Sequence, residues 1–467
     1  MATQPEMGGE TEDYMILTSF SVHGLFGTFD HKIEFDKNER IKIIHGPNGF
    51  GKTSILRLIN AFFNSKYSAM RQIPYSKMLF TFNGGSVIEV RRVERQGVPG
   101  GKGRVIPEHA VLEFTLSVEG SHQKKSHQIK PPEINRERIP LSAIEDIIPG
   151  LTRIGPEEWL HQLTGRQLTL GDVIDEFPDQ LPLFEGHHQT YPDWLRSVVS
   201  PLPVYLIEAQ RLLLPAAREV RLLRLPKLPA SAAMSSAVSV YSREMIERIQ
   251  ENLAKSAEVS QSLDSSFPKR LLQGTTNGNA SMEDIRARYD AQVQKRTRLM
   301  EAGLLDREEE FPLPNKDINE AERHVLALYV KDVEDKLAIF DDILGKIELF
   351  KEMINRRFQY KSLRIDRKDG FIFEISQGRF VPPAGLSSGE QHEIVLAHQL
   401  LFNVPEGALI LIDEPELSLH VAWQQDFLEE LEKISAVIRM DFLIATHSPQ
   451  VINDRWDVTT ALEGPRQ

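Results

Sequence analysis

The sequence predicts an α/β fold, a mixed β-sheet flanked by helices, with an inserted helical or short coiled-coil arm. Three observations predict it. A glycine-rich loop, Gly46-Pro47-Asn48-Gly49-Phe50-Gly51-Lys52-Thr53-Ser54, follows a short apolar run and opens a helix-like one. Two more apolar runs, 408–412 and 441–446, lie near the other end of the chain and finish in polar residues. Between these parts, residues 240–358 carry apolar positions at helical spacing.

The elements follow in order. Residues 41–44 (Ile-Lys-Ile-Ile) suit a buried strand, and the run from Lys52 places apolar residues at 55, 56, 58 and 59 of a helix. Between them, Gly46, Gly49 and Gly51 let the backbone turn tightly enough for its N–H groups to face phosphate oxygens. The helix N-terminus adds partial positive charge. Lys52 is placed to reach the β- and γ-phosphates of a nucleotide, and the Thr53 hydroxyl to ligate Mg²⁺. Residues 46–49 and 51–54 are therefore the candidate cradle for ATP.

Residues 65–135 hold short alternating runs around a Gly/Pro loop and read as a β-meander. Residues 136–200 read as short helices with Pro-rich turns. Arg218, Arg221, Arg224 and Lys227 recur every third residue. They read as a solvated or subunit-pairing surface before a phosphate contact. Three helices are expected over 241–259, 282–300 and 321–358. In the last, Leu326, Val330, Val333, Leu337, Phe340, Leu344 and Ile347 make a heptad seam. A short antiparallel arm fits this pattern, and so does a helical subdomain that does not project.

Leu386-Ser387-Ser388-Gly389-Glu390 precedes a helix-like run at 391–401. Ser387, Ser388 and the Gly389 amide at a helix start form a second phosphate-binding end. One nucleotide does not need two such ends from one chain, so this end is expected to close over ATP held by another copy. The strand at 408–412 ends in Asp413 and Glu414, where open α/β sheets place their ligands. Asp413 is placed for Mg²⁺ and Glu414 as general base for the attacking water. His447 follows the next strand and is placed to donate to the γ-phosphate or to that water.

These four segments resemble the ABC-type ATPase head of the SMC/RecF/OLD group. Residues 386–390 resemble the Leu-Ser-Gly-Gly-Gln signature, with Ser388 and Glu390 departing from it. Glu414-Pro-Glu-Leu-Ser-Leu-His420 resembles the Walker B and D-loop segment of bacterial AAA-family members, and residues 446–450 their switch-histidine segment. The resemblance implies a Q-loop glutamine that contacts Mg²⁺ or water, for which Gln210 is the candidate, past the strand at 204–208. It also implies an ATPase that works as a homo-oligomer built from head-to-tail dimers. The chain ends 20 residues after His447, with no Toprim, HNH or serine-hydrolase motif. Any cutting is then expected from a separate nuclease subunit, as in the two-component anti-phage systems PARIS (Toprim) and Septu (HNH). A phage protein or DNA is the expected trigger. A RecF-like DNA-binding repair ATPase is the alternative.

Composition bounds the rest. The chain has 467 residues, no cysteine and a net charge of −12. Disulfides and thiolate metal sites are excluded. No apolar run approaches a membrane span and no hydrophobic leader is evident, so a cytoplasmic protein without membrane partners is expected. The acidity argues against a surface coated for nucleic acid and leaves a local basic groove open. The expected divisions are a polar tail (1–13), an N-terminal ATPase lobe (14–239), a helical insert (240–358) and a C-terminal lobe (359–467).

Overall fold

The structure, a computed structural model, describes residues 16–36, 38–93, 110–118, 120, 124–130, 141, 143–148, 150–161, 166–177, 191–208, 230–273, 281–306, 313, 318–358, 360–375, 378–417 and 421–464. The chain separates into two units, Met1–Leu228 with Val404–Gln467, and Pro229–Asn403.

The first unit begins with β1 (Leu17–Leu25), β2 (Phe29–Glu34), β3 (Ile41–His45), α1 (Lys52–Phe63) and α2 (Tyr67–Gln72). β4 (Lys77–Phe82), β5 (Ser86–Val93), β6 (Val111–Val118) and β7 (Lys125–Ile129) follow. The expected meander is present as β4–β7, and β1 and β2 extend it to six antiparallel strands in the order β2-β1-β4-β5-β6-β7. Period-two alternation turns Met78, Phe80 and Phe82 into the core. Buried Arg71 fastens α2 to this sheet by donating to the carbonyls of Ala110 at 3.0 Å and Lys130 at 2.9 Å.

Residues 136–200 depart from the expectation of helices alone. α3 (Ala143–Ile147) is followed by β8 (Leu151–Arg153), β9 (Glu158–His161) and β10 (Arg166–Thr169), a small antiparallel sheet. Buried Trp159 packs there against Ile144, Leu151, Leu168 and Val173. Strands of three and four residues are too short to display a period. α4 (Leu170–Glu176), α5 (Asp193–Val199) and β11 (Val204–Glu208) complete this stretch.

The second unit contains α6 (Ala230–Gln273), α7 (Met282–Glu301), α8 (Glu320–Ala338) and α9 (Asp341–Arg357). At 1.5 Å per residue α6 is about 66 Å long. The heptad positions from Val330 to Ile347 are buried, but they belong to two helices. Phe340 sits between them, and Asp341 and Asp342 in the first turn of α9 favour a fresh helix start there. Bidentate ion pairs fix the neighbours: Arg270 to Asp332 at 2.5 and 2.7 Å, Arg288 to Glu334 at 2.8 and 2.5 Å. β12 (Lys361–Asp366), β13 (Gly370–Ile375) and β14 (Arg379–Val381) form an antiparallel sheet. α10 (Ser388–His398) then passes into a π-helical turn at Gln399–Asn403.

The chain returns to the first unit with β15 (Leu409–Asp413), α11 (Val421–Gln424), α12 (Phe427–Ile438), β16 (Asp441–Thr446), α13 (Pro449–Ile452) and β17 (Thr459–Ala461). These strands join β3 and β11 in a parallel sheet of order β11-β15-β16-β3-β17. Burial on both faces explains why β15 and β16 read as continuous apolar runs. α1 buries Ile55, Leu56, Leu58, Ile59, Phe62 and Phe63 in a core shared by both large sheets, with Phe62 stacked on Phe80 at 3.9 Å. Each such side chain contributes about 1.5–3 kcal/mol. The parallel register sets the C-terminal ends of β15, β16 and β3 side by side, the place where such sheets hold ligands.

Candidate nucleotide site

The loop after β3 reverses at Gly51, which stands in the left-handed region at φ 88° and begins α1. No side chain caps α1 and its first turn holds no acidic residue. Its free amides and the positive end of its dipole therefore stay available to an anion. The glycines divide the work. A Cβ on Gly49 would meet nothing within 4 Å, so this position leaves room for a phosphate. A Cβ on Gly51 would lie 2.5 Å from Leu25 Cδ2, so this position lets the β1–β2 turn press against the helix start. Lys52 is 5% exposed, and its ammonium donates to the Gly46 carbonyl at 2.8 Å and the Pro47 carbonyl at 3.2 Å. His31 Nε2 lies 3.0 Å from the Phe50 carbonyl, which can only accept. The anchor therefore carries a proton on Nε2, and burial lowers the pKa of His31 despite that bond.

Thr53 and Asp413, 360 residues apart, meet through a hydrogen bond of 3.0 Å from the threonine hydroxyl to the carboxylate. Two hard oxygen ligands side by side fit Mg²⁺. Glu414 follows with φ 47°, an uncommon conformation for a residue with a side chain, and its N–H donates to the Ala445 carbonyl at 2.8 Å. His447 Nδ1 is 3.8 Å from Glu414 Oε1 and 3.0 Å from Glu416 Oε1. Gln424 donates to the Glu416 carbonyl at 3.2 Å and accepts from the Ser448 hydroxyl at 3.2 Å.

In the second unit, Ser387 caps α10. Its hydroxyl accepts from the Glu390 N–H at 3.3 Å and donates to Glu390 Oε2 at 2.9 Å, while its own N–H reaches the same oxygen at 2.7 Å. Lys361 holds both Glu390 oxygens, at 2.8 and 2.7 Å. Burial opposes ionisation of Glu390, but Lys361 and Ser387 outweigh it and hold the carboxyl below its usual range. The glutamate that replaces the signature glutamine is thus matched by a lysine from β12. A Cβ on Gly389 would meet nothing within 4 Å, so the helix start stays open beside that capping box. Buried Glu393, one turn further, pairs with buried Arg357 of α9.

The structure therefore gathers Lys52, Thr53, Asp413, Glu414 and His447 at neighbouring strand ends of one unit, and places Ser387 and Gly389 in the other. Gln210, the basic run 218–227 and Ser418–His420 of the D-loop segment lie outside the described residues, as does the side chain of Ser388. Two residues beside these groups escaped sequence reasoning. Glu416 sits inside the Glu414–His420 segment, but its partners come from the end of another strand. Phe26, at φ 55° and 45% exposed, lies with its ring 3.6 Å from the Cβ position of Gly51. The surrounding Gly24-Leu-Phe-Gly27 turn was its one sequence signal.

Comparison with known proteins adds the following. Residues 237–453 match the family model described as "AAA domain, putative AbiEii toxin, Type IV TA system", and residues 22–152 match one described as "AAA domain". Over 82 residues the chain is 38% identical to the "Retron Vc95 probable ATPase" of Vibrio cholerae serotype O1 biovar El Tor. That match covers 17% of this chain and 15% of that protein. The SMC head domain from Thermotoga maritima is similar at 12% identity, over 96% of this chain and 94% of that one, with a TM-score of 0.31. The Smc head domain with an extended coiled coil bound to the C-terminal domain of ScpA, from Pyrococcus furiosus, is similar at 13% identity over 94% and 91%, with a TM-score of 0.32.

Proposed function

We propose that this chain, an AAA-family protein, binds and slowly hydrolyses ATP at a site completed by a second copy, and so controls a separate nuclease in anti-phage defence. The observation that carries the ATPase reading is the Thr53–Asp413 hydrogen bond at 3.0 Å, with Glu414 and His447 3.8 Å apart beside it. Lys52 and the loop amides hold the phosphates. Bound Mg²⁺, held by Thr53 and Asp413, would supply charge neutralisation on the phosphate oxygens. Glu414 takes the proton of the attacking water, and His447 donates to the terminal phosphate. The exposed ring of Phe26 beside the loop suits stacking on the adenine. Ser387 and the amide of Gly389 from the other copy close the phosphate cage. The defence role is supported by the AbiEii description of the matched family and by the likeness to a retron ATPase. The nuclease partner, Toprim or HNH, is inferred from the resemblance of the motifs.

The test is Glu414→Gln. ATP affinity is expected to stay within about threefold while phosphate release falls by about 10²–10⁴. Light scattering is expected to show closed oligomers trapped with ATP. Undiminished phosphate release would remove Glu414 from its role and leave the P-loop reading standing.

A further inference from the structure

We propose that Lys361 is the positioning residue of Ser387: by matching the charge of Glu390 it frees the serine hydroxyl for the terminal phosphate of the other copy's ATP. This role rests on the shared-site reading given above and adds what lets the cap accept an anion. Ser387 has one hydroxyl hydrogen. It is donated to Glu390 Oε2 at 2.9 Å, so the cap is closed on its own helix. To reach a phosphate, the hydroxyl must turn away from that oxygen. Oε2 then keeps two donors, the Ser387 N–H at 2.7 Å and the Lys361 ammonium at 2.7 Å. Lys361 also holds Oε1, at 2.8 Å. The carboxylate therefore stays satisfied when the serine leaves it.

Charge points the same way. Glu390 is the third residue of α10 and competes with a phosphate for the positive end of that helix. Like charges set side by side at an interface are strongly unfavourable. The signature glutamine would carry no charge there; Glu390 does, and Lys361 cancels it. The two side chains are 22% and 20% exposed, so water screens them only in part. A clamp for α10 does not need this pair. Arg357 and Glu393, buried one turn further on, already tie that helix to α9. The Lys361–Glu390 pair stands instead at the open end of α10, where Ser387 and Gly389 are exposed.

The test is association of the full-length protein driven by Mg²⁺ and the non-hydrolysable analogue adenylyl imidodiphosphate, followed by sedimentation velocity. Lys361→Met should weaken association by about 10–100-fold, because the uncompensated Glu390 holds the hydroxyl and repels the phosphate. Glu390→Gln should leave association as tight as in wild type or tighter, since only the cation then remains beside the phosphate. The double variant Lys361→Met, Glu390→Gln should return to within about threefold of wild type. An ion pair that served structure alone would give a different pattern, with both single variants weakened alike. Equal losses in the two single variants, an undiminished Lys361→Met, or a double variant no better than Lys361→Met would overturn the proposal. Ser387→Arg separates this role from the reading beneath it. If Ser387→Arg associates like wild type, the shared-site reading fails. If Ser387→Arg abolishes association and Lys361→Met leaves it unchanged, only the role of Lys361 is lost.

Discussion

At the scale of single residues, the loop after β3 shows why identical letters do different jobs. Gly49 and Gly51 both have positive φ, 89° and 88°, yet only Gly51 touches another element. Gly51→Ala forces a Cβ into Leu25 in a conformation that L-residues avoid. A loss of about 2–4 kcal/mol in urea unfolding is expected from strain plus overpacking. Leu25→Ala in the same chain should return part of that difference, measured as a double-mutant cycle. Gly49→Ala meets open space, so its cost is confined to backbone strain of about 1 kcal/mol, but it fills the volume proposed above for a phosphate. ATP binding should therefore fall further in Gly49→Ala than stability does. The sequence motif marks both glycines equally; the position of Leu25 separates them.

At the scale of elements, the contact between α2 and α4 carries a half-buried carboxylate. Asp175 accepts from the Ser68 N–H at 2.6 Å, but burial outweighs that bond and pushes its pKa up to about 7. The folded pKa lies above the unfolded value of 3.8. The stabilisation is therefore complete below pH 4 and is lost as pH rises towards 7. The slope is about 1.4 kcal/mol per pH unit in that window. Asp175→Asn should remove it: the stability difference between variant and wild type, measured by denaturant titration from pH 4.5 to 7.5, should grow with pH in favour of Asn. A difference independent of pH would mean that Asp175 is ionised throughout. The same scale explains which elements the sequence hid. The break between α8 and α9 leaves the heptad spacing untouched, because Phe340 at the break is buried like Leu337 before it and Leu344 after it. The β8–β10 sheet is held by Trp159 and its neighbours rather than by any local pattern.

At the scale of the whole molecule, the Leu386–Glu390 segment and the P-loop belong to different units of the chain. If each nucleotide takes its cradle from one copy and its cap from another, a Lys52→Ala chain mixed with a Ser387→Arg chain should regain one working site per dimer. About half of the wild-type sites per mixed dimer, and none in either parent, is the expected result in steady-state phosphate release. Stable mixed dimers with no activity would show that the two segments do not cooperate between copies. Among the described residues no helix is long and apolar enough to cross a membrane.

The sequence by itself determined the glycine-rich loop, the acidic strand end and the histidine after the next strand, because each is a local pattern in which spacing along the chain equals placement in space. It also determined the α/β class, because strands buried on both faces must be apolar throughout. Only the tertiary structure decided that Thr53 meets Asp413 and that Lys361 matches Glu390. It likewise decided that Glu416 turns its carboxylate to His447, 31 residues away. Those pairings arise from strand order and from which loop ends a parallel sheet brings side by side, and neither is written in the spacing of the residues that use them.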